Sequence, residues 1–138
     1  EFMRQTGNPD QWNTTHPARS ILEDDIAKGQ LYVLEDGDGL QGVFALITGL
    51  DPTYGYIEGQ WLNNESYITI HRIASSGKKS GILPCAVQYG LSVCNNLRID
   101  THHDNKVMQH LLTKNGFSKC GIIYLENGDP RIAYQICK

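Results

Sequence analysis

The sequence predicts an α/β (α+β) domain, a mixed sheet with helices packed on it, and three observations predict it. Apolar residues recur with period two in some stretches and with the 3.6-residue period of a helix in others. The two kinds alternate along the chain in the order helix, three strands, helix, strand, helix, two strands. Short turns join them without any repeat, linker or low-complexity run, so residues 1–138 are expected to form a single domain with one main cleft.

Pro17 to Lys28 carries Ala18, Ile21, Leu22 and Ile26 on one side, with Pro17 in the first turn and Gly29 as the stop, and is read as a short amphipathic helix. Leu31 to Glu35 and Leu40 to Thr48 flank Asp36-Gly37-Asp38-Gly39, a hairpin turn; Val33 and the run Val43 to Ile47 are assigned to a buried sheet. Asp51 to Glu65, rich in Gly, Asn and aromatics, is predicted to be a loop with a short extended piece around Trp61. In Tyr67 to Ala74, Ile68 and Ile70 share a face while Ile73 has the opposite parity. That break in period predicts a bulge near His71-Arg72 that splays the end of the strand.

A polar turn, Ser75 to Gly81, leads into a helix from Ile82 to Asn95 whose inward stripe is Leu83, Ala86, Val87, Leu91 and Cys94. Leu97 to Thr101 alternates as a strand. Asp104 is then expected to cap a helix with Val107, Met108, Leu111 and Leu112 on its apolar face, ended by Gly116. Ser118 to Leu125 and Arg131 to Cys137 form a last hairpin around Asn127-Gly128.

Composition excludes several classes of function. No apolar run approaches the ~18 residues of a membrane span, and the N-terminal stretch lacks a signal-peptide core, so a cytoplasmic protein is expected, with no membrane partner. A net charge of -3 argues against nucleic acid as a partner, because such binders present a basic face. Cys85, Cys94, Cys120 and Cys137 form no Cys-x-x-Cys pair and lie in apolar patterns, which reads as reduced core thiols rather than disulfides.

The segment that points to chemistry is the bulged strand feeding a glycine-containing turn at a helix start. Main-chain N–H groups there are unpaired and carry the positive end of the helix dipole, so a pyrophosphate can bind without many cationic side chains. Gly77 and Gly81 allow close approach, and Lys78 and Lys79 add local positive charge. A solvated connecting loop is the plain alternative. A Walker loop does not fit, since Arg72 and Lys79 stand where its first Gly and its Ser/Thr belong, and no dinucleotide fingerprint is present.

From about Trp12 to Gln135 the chain resembles the GNAT acetyltransferases. IHRIASSGKKSGIL resembles the family's central strand and its Gln/Arg-x-x-Gly-x-Gly/Ala pyrophosphate loop, with Lys78 at the Gln/Arg position and Gly81 at the first Gly. LRIDTHHDNKVMQHLLTKNGF resembles the next strand and helix, and CGIIYLENGDPRIAYQ the last hairpin. The resemblance implies a mixed, mostly antiparallel sheet with helices on both faces and a bulged central strand. It implies acetyl-CoA as cosubstrate and transfer to a small-molecule amine or a peptide amine, with a homodimer left open. The pantetheine arm would pair with the backbone of Ile73, Ala74 and Ser75, and the pyrophosphate would meet the amides of Lys78, Lys79, Ser80, Gly81 and Ile82. Asn105 matches a position that contacts the cofactor arm, although a helix-start residue bonding its own backbone explains it as well.

Three departures from the family pattern matter. Leu83 stands where a second Gly or Ala is usual, so its side chain is expected to point into the core. Leu112 replaces the Tyr that protonates the leaving thiolate in many members. The family's first strand and much of its first helix have no counterpart before Trp12, so an N-terminally shortened member is expected.

Acyl transfer needs a base for the ammonium, a donor for the oxyanion and an acid for the thiolate. His71 is the first candidate base and Glu65 the second, with a structural histidine as the alternative for His71; a backbone N–H near Ile73 suits the oxyanion. Glu58 and Trp61 are candidates for the acceptor side and Tyr124 for the acid, and each is equally an ordinary surface or packing residue. Asp100, His102, His103 and Asp104 are not expected to bind a metal, because adjacent histidine side chains diverge. A non-catalytic acyl-CoA sensor or protein-interaction module on the same fold is the competing reading.

Overall fold

The computed structural model describes residues 26–37, 39–75 and 81–138. Its strands are β1 (Leu31–Asp36), β2 (Gly39–Thr48), β3 (Glu58–Gly59), β4 (Ile68–Ser75), β5 (Asn96–Thr101), β6 (Ser118–Tyr124) and β7 (Pro130–Cys137). Two helices, α1 (Ile82–Val93) and α2 (Lys106–Lys114), and a 3-10 turn at Pro52–Tyr54 complete the described elements. The sheet has the order β1-β2-β4-β5-β7-β6-β3 and is mostly antiparallel, with β4 and β5 parallel. Of the predicted Pro17 to Lys28 helix, all but the last residues lie outside the described ones. Ile26 and Ala27 are helical, and the Gly29 N–H donates to Ile26 O at 3.0 Å with φ +68.

The chain divides into two compact units. The first holds residues up to Ile47 together with Ile70–Ala86. Gln41 to Leu46 of β2 are buried without interruption, as in a strand covered on both faces. β1 pairs with β2 through a bulge between Leu34 and Glu35, and Tyr32 stacks on Phe44 at 5.6 Å. Val33 departs from expectation: it is 50 % exposed, because its face of β1 is not covered, something alternation alone does not reveal. Leu83 and Ala86 on the first turns of α1 are buried, so Leu83 points into the core as its position required.

The second unit holds Thr48–Thr69 and Val87–Lys138. β5 pairs with β7 from Asn96↔Cys137 to Thr101↔Ile132, and β7 pairs with β6 through a bulge between Lys119 and Gly121. Leu97, Ile99, Ile123, Ile132, Ala133, Tyr134 and Ile136 on these strands, with Leu112 and Phe117 beside them, are among its buried apolar residues. Helix α1 runs close to β5, since a Cβ on Gly90 would stand 3.0 Å from Leu97 Cδ1.

Several boundaries move. The extended piece expected at Trp61 lies instead at Glu58–Gly59, which pairs with Ile122 and Gly121 of β6. Asn105, not Asp104, caps α2: its side chain accepts from Met108 N at 3.0 Å. Val107 is 70 % exposed rather than on the apolar face, which leaves Leu112 as the fully buried anchor of that helix. The thiols also differ: Cys85 and Cys137 are exposed, and only Cys94 and Cys120 are partly buried; all four are free.

Candidate functional site

Strand β4 has two distinct halves. Ile68 and Thr69 pair with Leu97 and Arg98 of β5, and the parallel ladder consists of those two residue pairs although β4 runs on to Ser75. Arg72 has φ +53, the one non-glycine residue in the left-handed region among those described. A left-handed residue inside a strand is the mark of a bulge, so the irregularity expected at His71-Arg72 is present. His71, Arg72, Ile73 and Ala74 are all half-buried. Ser75 ends the strand, while Lys78, Lys79 and Ser80 lie outside the described residues.

Gly81 has φ +96, and among the described residues nothing lies within 4 Å of the place a Cβ would occupy. Its carbonyl accepts from Cys85 N at 3.1 Å, so α1 begins directly after it and the first-turn N–H groups have no intrahelical partner. Ile82 is buried against Gly42. A Cβ added to Gly42 would come within 2.6 Å of Ile82 Cδ1 and 3.0 Å of Ala74 O, so the missing side chain in β2 makes room for the first residue of α1. An open backbone beside a helix start suits an anionic group approaching from solvent.

Within the second unit a cavity of about 440 Å³ is lined by, among others, Asp51, Tyr54, Trp61, Glu65, Tyr67 and Arg98. Arg98 is its unusual member. Although only 5 % exposed, it holds its guanidinium 4.0 Å from the Trp61 ring centre and 4.1 Å from that of Tyr67, and its Nη2 donates to Asn63 O at 2.9 Å. Burial lowers its pKa from the ordinary arginine value, partly offset by Tyr67 and its other neighbours. Its Nε has no hydrogen-bond partner among the described residues.

The loop forming this wall is held by buried amides. Gln135, fully buried on β7, donates to Asn96 Oδ1 at 2.6 Å and to Asn63 Oδ1 at 3.2 Å, and accepts from Leu62 N at 2.8 Å. Asn96 donates to Asn63 Oδ1 at 2.9 Å and to Ser66 O at 3.1 Å. Glu65, exposed, is carried by this pinned loop. Tyr67 accepts from Asp51 N at 2.8 Å, and Trp61 donates to Tyr54 O at 3.1 Å.

Tyr54 and Tyr124 have their protons engaged. Tyr54 donates to Asp100 Oδ2 at 2.7 Å, and burial first, then Asp100, raises its pKa well above the usual value. Tyr124 donates to Glu58 Oε1 at 2.7 Å, a bond that raises its pKa. Glu58 therefore faces Tyr124 and is not part of the cavity wall, whereas Trp61 is. The expectation that the adjacent histidines diverge is overturned. A turn closed by the Asn105 N–H to His102 O bond, at 3.0 Å, stacks the His102 and His103 rings at 4.3 Å. With Asp104 they place three donor atoms within 4.8 Å of one another, on a side-chain cluster open to solvent.

Arg98, Asn96, Gln135, Asn63 and Tyr54 were not singled out from sequence. The one available signal was the pair Arg98 and Asp100, charges alternating with Leu97 and Ile99 in a strand that turns out to be buried on both faces.

No protein-family model and no curated protein matches the chain. Among solved structures, a GNAT-family acetyltransferase from Streptococcus agalactiae is 34 % identical, with a TM-score of 0.79 over 99 % of this chain and 81 % of that one. The chain belongs to the GNAT acetyltransferase family. A GNAT acetyltransferase from Bacillus cereus (22 % identity, TM-score 0.64, 87 % of this chain and 78 % of that one) has the same fold. So does a Bacillus subtilis acetyltransferase solved in complex with CoA (19 % identity, TM-score 0.65, 89 % and 86 % covered). Membership accounts for the bulged β4 and for the helix that follows it. At the position of the family's usual tyrosine acid, Leu112 is completely buried. No described helix is long and apolar enough to cross a membrane.

Proposed function

We propose that the chain is an N-acyltransferase that moves an acetyl group from acetyl-CoA to a small-molecule or peptide amine by direct attack in a ternary complex. The observation that carries this is β4: its ladder with β5 stops after Thr69, it bears Arg72 at φ +53, and it leads to an open Gly81 at the start of α1. Beyond Thr69 the edge of β4 that faces β5 carries no ladder to it, and at Ile73, Ala74 and Ser75 that edge is suited to receive the amides of a pantetheine arm as an added strand would be received. The amides from Lys78 to Ile82 are assigned to the diphosphate, with Asn105 on the cofactor arm. The CoA complex of the Bacillus subtilis neighbour supports the choice of cosubstrate. Free thiols on all four cysteines accord with a cytoplasmic address.

In this reading the base takes the ammonium proton, the amine nitrogen bonds to the thioester carbon, and the carbon–sulfur bond breaks as the thiolate leaves and is protonated. His71, half-buried on β4, is the first base and Glu65 the second. A main-chain N–H near Ile73 meets the oxyanion. The acid is not at Leu112, and Tyr54 and Tyr124 already donate to carboxylates; the role is left to solvent water or to the Tyr67 hydroxyl, which accepts from Asp51 N.

Buried Leu112 favours the second reading, a non-catalytic acyl-CoA sensor or interaction module. Thiol release from acetyl-CoA over an amine panel separates the two. Turnover that falls in His71→Ala or Glu65→Gln supports the enzyme; a rise in unfolding temperature with acetyl-CoA and no thiol release supports the sensor. Absence of both effects removes acyl-CoA from the account altogether.

A further inference from the structure

The described residues that line the Arg98 cavity all belong to the second unit, and their chemistry constrains what occupies it. Arg98 is a nearly buried cation whose holders are uncharged: the Asn63 carbonyl and the faces of Trp61 and Tyr67. No carboxylate bonds it among the described residues; its Nε, also without a partner there, is closed to solvent, which leaves the terminal nitrogens to meet a ligand. A buried guanidinium is ordinarily paired, because removing an unbalanced charge from water is costly. In the same wall, exposed Glu65 has a carboxylate with no partner among the described residues. The other carboxylate of the lining, Asp51, accepts from Thr53 N and Thr53 Oγ1, and the deep cation of Arg98 with the surface anion of Glu65 forms a complementary template for a zwitterion. At about 440 Å³ the cavity falls in the size range of small-ligand sites, roughly 300–1,000 Å³.

We propose that this cavity binds an acceptor amine that also carries a carboxylate, a free amino acid, with the carboxylate on Arg98 and the ammonium towards Glu65. The assignment rests on the acyltransferase reading and narrows it to one substrate class. Of the two candidate bases this arrangement uses the second, Glu65: it takes the ammonium proton, the freed amine nitrogen bonds to the acetyl carbon, the carbon–sulfur bond breaks, and the products are an N-acetyl amino acid and the CoA thiol. The planar guanidinium offers two parallel N–H bonds to a carboxylate, which a carboxamide cannot receive with the same charge. Trp61 and Tyr67 fix the plane of that fork before the ligand arrives.

The test compares each common L-amino acid with its own carboxamide, using the full chain. Trp61 lines the cavity, so quenching of its fluorescence reports binding with no need for turnover, and a Trp61→Phe variant identifies the signal. The native chain is expected to bind at least one amino acid about tenfold or more tightly than its amide. In Arg98→Gln the ratio should approach one, while Arg98→Lys should retain part of it; circular dichroism checks that both variants fold. Equal affinity for acid and amide in the native chain, or no response to any amino acid, overturns the assignment whatever the variants do. Acid preference without thiol release from acetyl-CoA leaves the amino-acid site standing and removes acyl transfer. Thiol release with simple amines as fast as with amino acids does the reverse.

Discussion

Residues 70–86 and the Asp51 to Tyr67 loop are built on opposite principles. In the first, the features that matter belong to the main chain: a left-handed Arg72, an open Gly81 and a helix start admitted by Gly42. In the second, side chains make the site, through the Gln135, Asn96 and Asn63 amides and an arginine held between two rings. A backbone-built region tolerates most changes of side chain but is sensitive to an added Cβ. A side-chain-built region fails when a single polar group is removed and its partners stay buried.

The largest effect expected from that contrast is on stability in the second unit. Gln135→Leu removes the acceptor for Leu62 N and the donor to Asn96, and should lower unfolding free energy by about 2–4 kcal/mol in denaturant titration. A loss below about 0.5 kcal/mol would mean the amides are not a hub. Next comes Gly81→Val. No described residue crowds the Cβ position of Gly81, so the change is mild for packing against them, yet φ +96 and the intruding side chain should abolish the acetyl-CoA effect on unfolding, about 2.7 kcal/mol at ligand a hundredfold above Kd. Retained cofactor affinity would break the backbone account of that region.

Smaller effects sharpen the comparison. Asn105→Ala removes the α2 cap and should cost about 1 kcal/mol, whereas Asn105→Asp should keep most of the stability. If acetyl-CoA affinity falls in Asn105→Asp as well, Asn105 serves the cofactor in addition to the helix. The smallest effect near neutrality is that of pH on Tyr54. Burial and Asp100 raise its pKa above 10.0, so the folded chain binds that proton more tightly than the unfolded chain. The stability this contributes is whole below about pH 10 and is lost as pH rises toward the folded value. Tyr54→Phe should show a shallower alkaline decline in unfolding midpoint; an identical slope would show that Tyr54 does not set it.

What sequence reading recovered follows from the range of the interactions involved. The β4 bulge was legible because the parity of Ile68, Ile70 and Ile73 encodes it locally, and the start of α1 because Gly81 and the stripe after it are neighbours in the chain. The Leu83 orientation followed from that same stripe. By contrast, Gln135 and Asn63 are 72 positions apart, and no periodicity links them. Arg98 was passed over because a charged residue in an alternating strand is normally solvated, and its aromatic partners sit in a loop whose path the sequence does not define. Val33 and Val107 failed for a related reason: pattern assigns residues to a face but does not say whether that face is covered. The cap moved from Asp104 to Asn105 because two adjacent residues are equally able to accept the first-turn N–H, and the His102 turn decides between them.

The Leu62 amide has a consequence for how the wall of the cavity moves. The residue is 47 % exposed in an irregular segment, yet its N–H is held by a fully buried residue of β7. Deuterium uptake there is therefore governed by the opening of the sheet rather than by fraying of the surface, which makes this stretch one that ligands must meet already shaped.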